Sequence, residues 1–335
     1  LLAVILRRCL GSIPLLFILS VLSFAIVRSL PGDPVDVLLG SSQRDLPPQQ
    51  LKALRNELGL DKSPAQQYCA WIKGVVTKGE LGRSYKDSRQ VSTVIGERLP
   101  ATILLVGSAL AVSFTLGIGW GLFMAYIRRM ELLRPIEGAL VVAALVLYSA
   151  PSFWVGFLVI ALVTRIPACA GLPILGLHDP GQAIGFAAML NHLFLPSLVL
   201  ASRRTAKVAL FVRASTLEEL SKDYVTSAFS KGLSYAAVLL RHVARNSLLP
   251  VVSLVGLSLP ALLGGSVLVE TVFGWPGMGK LIVDATFGRN YPILLALILI
   301  YGALVIASNL LADIAQILVD PRQRESALES AKSGG

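Results

Sequence analysis

Five stretches of the chain are apolar over the length that crosses a bilayer as helix, about 20 residues. They are 10–30, 101–127, 136–163, 247–269 and 293–318 or 319. A sixth and weaker stretch, 193–212, carries Arg203, Arg204 and Lys207 within an otherwise apolar run. These stretches are mostly apolar over the length a spanning helix needs. They predict an all-α integral membrane protein with six transmembrane helices, counting the weak one. Arg7 and Arg8 precede the first stretch as in a signal peptide, but no small-x-small cleavage site follows closely. An uncleaved anchor is expected. A chain opening on Leu1 instead of Met also predicts a short missing N-terminal piece.

The segment 31–100 breaks this pattern, with ten basic and eight acidic residues. Pro31-Gly32-Asp33-Pro34 punctuates its start. Helical spacing runs over 51–58 and stops at Gly59, and a second short helix is predicted over 66–76. Tyr68, Trp71, Ile72 and Val75 share one side of that helix, a face expected to pack on its own subunit. A small, mostly helical domain between the first two spans follows. The predicted organisation is 1–30 (N-terminal end and first helix), 31–100 (extracytoplasmic domain), 101–318 (transmembrane domain, with an inner loop at 213–246) and 319–335 (tail).

Composition agrees. Of 335 residues, 54% are apolar and only 15% charged, with a mean hydropathy of +0.70. A soluble domain carries roughly 25% charged residues, and disorder needs lower hydrophobicity still. The net charge of +10 first suggests nucleic acid. Its distribution says otherwise. With a cytoplasmic N-terminus, segments 1–9, 128–135, 213–246 and 319–335 hold 13 basic residues, against 3 in the short outer loops 164–190 and 271–290. Basic residues concentrate on the cytoplasmic side of membrane proteins. Both ends are therefore expected inside, and the even span count requires the weak fourth helix.

Candidate chemistry is sparse. Gly274-Trp275-Pro276-Gly277-Met278-Gly279-Lys280-Leu281 nearly matches a phosphate-binding loop. Leu281 replaces the Mg²⁺-binding hydroxyl, Pro276 lacks an N–H, and no strand precedes it, so a turn is expected. There is no G-x-S-x-G, H-E-x-x-H or G-x-G-x-x-G, and Cys9, Cys69 and Cys169 stand far apart, as do the three histidines. No catalytic residue and no metal site is predicted. The few carboxylates in the spans, Glu137, Glu270 and Asp313, lie towards span ends, which argues against a proton-relay carrier.

The inner loop is the most structured polar segment. Thr216-x-x-Glu219 reads as a capping box. Leu217, Leu220, Tyr224, Ala228 and Lys231 then mark one helix face. Gly232 ends that helix and Ser234 caps a second one running through His242. Here the sequence resembles the coupling loop of bacterial ABC importer permeases, in its peptide/nickel subgroup. Asp223-Tyr224-Val225, Lys231-Gly232-Leu233-Ser234, Arg241-His242 and Arg245-Asn246 match. Thr226, Ser227 and Ala228 stand at the general E-A-A positions, where only the last agrees. The resemblance extends along nearly the whole chain. It includes Leu30-Pro31-Gly32-Asp33-Pro34, Leu58-Gly59-Leu60-Asp61, Gly79-Glu80-Leu81-Gly82-Arg83-Ser84 and Ser149-Ala150-Pro151-Ser152-Phe153-Trp154. Val269-Glu270, Pro276-Gly277-Met278-Gly279, Tyr291-Pro292 and Asp320-Pro321-Arg322 continue it. A large outer segment after the first span resembles the "B" permease of dipeptide and oligopeptide importers.

The resemblance implies a type I ABC importer permease fold in the bacterial inner membrane, and a subunit that is not itself an enzyme. It implies a second homologous permease, two ABC ATPase subunits that hold ATP and Mg²⁺, and an extracytoplasmic substrate-binding protein. No cofactor is expected on this chain, and no nucleic acid. Asp223, Tyr224, Ala228, Lys231, Gly232 and Leu233 are the expected ATPase contact. The cations of the fourth span depart from the family. Arg203 and Lys207 share a helix face. Two readings stand: they bind a cargo carboxylate, or they pair with Glu270, Asp313 or the other permease. Pro151 predicts a kink in the third span, and Gly264-Gly265 predict close packing or a hinge in the fifth. Cargo remains open among dipeptides, oligopeptides, nickel chelates and glutathione. A secondary carrier needing no ATPase is the alternative of a different class.

Overall fold

The computed structural model describes residues 2–29, 35, 47–57, 60–166, 172–177 and 185–319. The motifs at 30–34 and 320–322, and Gly59, Cys169 and His178, lie outside the described residues. The order is α1 (Leu2–Ser29), α2 (Pro48–Glu57), α3 (Pro64–Lys78), α4 (Val91–Ile127), a 3₁₀ turn (Glu131–Leu133), α5 (Arg134–Ser149) and α6 (Ser152–Arg165). Then come α7 (Phe186–Glu219), α8 (Asp223–Ser230), α9 (Tyr235–Val238), a π-helical turn (Leu239–Val243), α10 (Ala244–Ser247), α11 (Leu249–Val272), α12 (Met278–Phe287) and α13 (Tyr291–Val319). The chain is all-α, with one isolated bridge between Arg83 and Gln90 among the described residues. Among the described residues five segments are long and apolar enough to cross a membrane: Leu10–Ser29, Val91–Ile127, Glu131–Ser149, Leu254–Val272 and Tyr291–Ile314.

The helices form two compact units. One comprises Leu6–Thr102 and Pro276–Ile306. Its core gathers Val91, Ile95, Met278, Ala285 and Leu294–Leu297, with Phe24, Trp71 and Tyr85 packed around it. The face predicted on the second short helix lies here. Tyr68 and Trp71 meet Phe24 of α1 with ring centroids 5.5 and 6.3 Å away, and Tyr68 Oη shares a 2.8 Å hydrogen bond with Ser20 Oγ. Local signals fix α3: Ser63 and Gln66 form a capping box, and Gly79 closes the helix at φ +66°. Cys69 is a free, exposed thiol.

The segment expected as a short outer loop holds α12. A turn with Gly274 at φ +60° leads into that helix before the last span begins. Met278 N donates to Thr102 Oγ1 at 2.8 Å. One amide of the near-match to a phosphate loop is thus consumed; 274–277 form the expected turn, but 278–281 are already the start of α12, which the sequence reading did not expect.

The other unit contains Ile103–Trp275 and 307–335. Helix α4 approaches α7 closely. A Cβ on Gly117 would stand 2.7 Å from Val208 Cβ and 2.9 Å from the Thr205 carbonyl. One on Gly121 would stand 2.6 Å from the Ala209 carbonyl. Gly117-x-x-x-Gly121 is a small-residue dimerisation pattern, here used within one chain. Ser108 and Ser197 share a 2.7 Å hydrogen bond on the same pair of helices. Gly256 likewise has no room for a Cβ beside Ala312 of α13.

Three expectations change. Gly264 and Gly265 are expected to give close packing or a hinge, and the close packing is not found there. A Cβ on Gly265 would only touch Leu200, at 3.4 Å, and nothing lies within 4 Å of one on Gly264. The tight contacts belong to Gly117, Gly121 and Gly256. The kink at Pro151 is a complete break: Ala150 (ψ 132°) and Pro151 (ψ 135°) are extended, so the third stretch is two helices. Proline disfavours helical backbone in its predecessor as well as removing an N–H. Thr216 is no N-cap. It lies inside α7, fully buried, with Oγ1 donating to Ser247 Oγ at 3.2 Å. Helix α7 therefore continues to Glu219, and the helix face expected from Leu217 through Lys231 is divided at 220–222.

Candidate functional site

Helix α7 turns a corner at Leu220-Ser221-Lys222 before α8 begins. Side-chain hydrogen bonds, near and distant in sequence, hold it. Lys222 Nζ pairs with Glu219, Tyr224 Oη donates to Glu219 Oε2 at 2.8 Å, and Asn246 Nδ2 donates to Tyr224 Oη at 3.3 Å. The Lys222 hydrogen bond, reinforced by Tyr224, holds the Glu219 carboxyl below its usual value, and Glu219 in turn raises Lys222. Ser215 Oγ donates to the Ser247 carbonyl at 3.0 Å, closing the corner against α10.

Beyond it, α8 is amphipathic. Val225 and Ala228 are buried with Val238, Leu239 and Val243, and Tyr126, Leu220 and Tyr224 surround them. Gly232 has φ +79°, a backbone state that favours glycine. Its N–H donates to the Phe229 carbonyl at 2.9 Å. Ser234 caps the next helix, accepting from Ala237 N at 3.4 Å. Both local punctuation marks match the sequence reading. The expected contact residues divide by exposure. Asp223, Lys231, Gly232 and Leu233 are exposed, Tyr224 is half-buried, and Ala228 faces the protein's own interior.

An aromatic stack fastens this element to the end of α4. Phe229 and Tyr235 stack within 2° of parallel at 6.1 Å, and Tyr126 lies 5.7 Å from Tyr235. The Arg129 guanidinium sits 4.9 Å from the Tyr235 ring centroid and 5.9 Å from that of Phe229. A second fastening is Glu137, which is 1% exposed. It accepts from Arg128 Nη1 at 3.1 Å and from Arg213 Nε at 2.5 Å. The acid belongs to α5, one base to α7, and the other follows α4, so one carboxylate ties three segments. These pairings were illegible in the sequence, because partners up to 76 residues apart leave no periodic trace. Gly117-x-x-x-Gly121, by contrast, carried a readable signal.

The same unit holds a second feature. Arg203, Arg204 and Lys207 line a cavity of about 260 Å³ with Tyr148, Ser152, Leu200, Ala261, Leu262 and Gly265. The helix break at Pro151 places Tyr148 and Ser152 on its wall, so sites read separately from the sequence converge. The Arg203 guanidinium lies 5.3 Å from the centroid of the Tyr148 ring. Among the described residues none of the three cations is ion-paired, to Glu270, to Asp313 or to any other carboxylate. No metal-binding cluster occurs among the described residues either.

Comparison with known proteins gives two family matches that together take in nearly all of the chain. Residues 117–325 match "binding-protein-dependent transport system inner membrane component", and residues 1–106 match the N-terminal family of such membrane components. A putative peptide permease protein of Brucella suis is 35% identical over 318 residues, covering 95% of this chain and 97% of its own. The oligopeptide transport system permease protein AppB of Bacillus subtilis is 34% identical over 324 residues (96% and 98%). The di/tripeptide transport system permease protein DppB of Pseudomonas aeruginosa is 36% identical over 341 residues (96% and 99%).

Proposed function

The chain belongs to the family of binding-protein-dependent transport system inner membrane components, and from that premise we propose that it is one permease of an ATP-driven importer of di- and oligopeptides. The names of its relatives support the cargo class. The observation that carries the mechanism is the α8–Gly232–α9 element, punctuated at both ends and fastened to α4 and α10.

In this reading the exposed edge of α8, with Asp223, Lys231, Gly232 and Leu233, meets a separate ATPase subunit that holds ATP and Mg²⁺. Ala228 and Val225 act from the other side, packing the element onto its own subunit. A rigid knob passes on a displacement that a loose loop would absorb. The Arg129–Tyr235–Phe229 stack and the Glu137 ion pairs carry the motion into α4, α5 and α7. Helix α7, at 34 residues about 51 Å long, serves as the sixth span with its cations facing the cavity. Both chain ends are cytoplasmic, a second homologous permease completes the path, and a binding protein delivers cargo from outside.

Gly232→Pro tests this. Proline imposes φ near −65° where the backbone is at +79°, and it removes the N–H bonded to Phe229. In the reconstituted importer, peptide uptake is expected to fall at least about tenfold per ATP hydrolysed, with the chain still inserted. Wild-type uptake per ATP in that variant would overturn the assignment.

A further inference from the structure

We propose that the cavity lined by Arg203, Arg204 and Lys207 is a carboxylate-binding site on the transport path, taking the free C-terminal carboxylate of a peptide in transit. The inference rests on the peptide-importer reading and names the group that the path recognises.

Three observations converge. Cations within an apolar helix are costly, at least about 2.5–3.5 kcal/mol each at bilayer depth, and even at the span ends, outside the apolar stretches, basic residues of this unit are paired. Arg128 and Arg213 share buried Glu137. Arg203, Arg204 and Lys207 have no carboxylate partner among the described residues, although Glu270 and Asp313 belong to the same unit. The second observation is Ser152 on the cavity wall. Ser152 is the first residue of α6, a 14-residue helix that starts after Pro151 with no side-chain cap. The positive end of a helix and its free N–H groups attract anions, and broken helices place such ends at substrate sites in transporters. The third is size and shape. A cavity of about 260 Å³ admits a terminal residue. The Arg203 Cζ lies over the Tyr148 ring, 5.3 Å from its centroid, and an arginine fork can meet a carboxylate bidentately. Lys207, one helical turn on, adds a second charge on the same face.

The test compares ATP-driven uptake of tri-alanine and of tri-alanine C-terminal amide by the complete importer in proteoliposomes. Wild type and the double variant R203Q/K207Q use the same binding protein, so that protein's own preference cancels in the ratio of ratios. The free peptide is expected to have the lower KM in wild type, and the double variant to shrink the KM ratio about tenfold. K207Q alone is expected to fall between the two. An unchanged ratio would overturn the proposal. So would an equal loss of uptake for both peptides, since cations that merely pair with the second permease protect transport of either cargo alike. A wild-type importer that carries neither peptide would contradict the peptide reading itself, and this site with it.

Discussion

Glu137 shows how much one side chain organises. Its carboxylate is 1% exposed and meets two guanidinium groups. Removing one partner of a buried pair costs about 3–5 kcal/mol because the other charge stays buried and unpaired. The Arg128 side chain is 51% exposed and that of Arg213 22%, so solvent screens part of this. Glu137→Gln is therefore expected to destabilise by about 2–3 kcal/mol. Arg128→Gln should cost clearly less, because Arg213 remains. Thermal melting of the purified chain checks the order, and a Glu137→Gln protein melting with the wild type would refute it. At this scale legibility depended on how local the cause is. Gly232 and Ser234 were readable because a left-handed turn and an N-cap need only their neighbours. Glu137 was noticed as a span carboxylate, but its partners come from distant segments. Gly264 and Gly265 drew notice as a pair, while the tight helix contact fell to Gly117 and Gly121, whose spacing puts both on one face.

Among elements, the corner between α7 and α8 was the least legible. Thr216-x-x-Glu219 has the composition of a helix start, yet tertiary burial gave Thr216 a partner in Ser247 and the helix ran on. Glu219 instead ends the helix and holds the corner through Lys222 and Tyr224. That makes the corner pH-sensitive in a defined sense. The Glu219 carboxyl is held low, so its contribution is complete above the ordinary carboxylate range and is lost as pH falls through its lowered value. Lys222 is held high, so its contribution is lost only as pH rises through its raised value. A nitroxide on exposed Ser227 should show constant mobility between about pH 5 and pH 10 and greater mobility below. Lys222→Gln should raise its mobility at neutral pH. Unaltered mobility through the acid range would show that the pair does not hold the corner. The break at Pro151 was half legible: proline announced the disturbance, but not that Ala150 would leave the helix too.

For the whole molecule, hydropathy located the spans and the basic residues supplied an expected orientation. The +10 charge, which by itself suggests nucleic acid, is concentrated in segments read as cytoplasmic. The weak fourth stretch was flagged by three cations, and the structure carries it on the long helix α7, where those cations open onto a cavity. The ten-residue helix α12 escaped notice because it is too short to span a bilayer and follows a turn-rich stretch. The central claim is that the chain moves peptide only as part of an ATP-driven assembly. The most direct measurement is uptake of a labelled tripeptide into proteoliposomes, with this chain alone under an imposed ion gradient or together with the second permease, the ATPases, the binding protein and ATP. Uptake is predicted only in the complete, ATP-supplied system. Gradient-driven uptake by the chain alone would contradict the account and identify a secondary carrier.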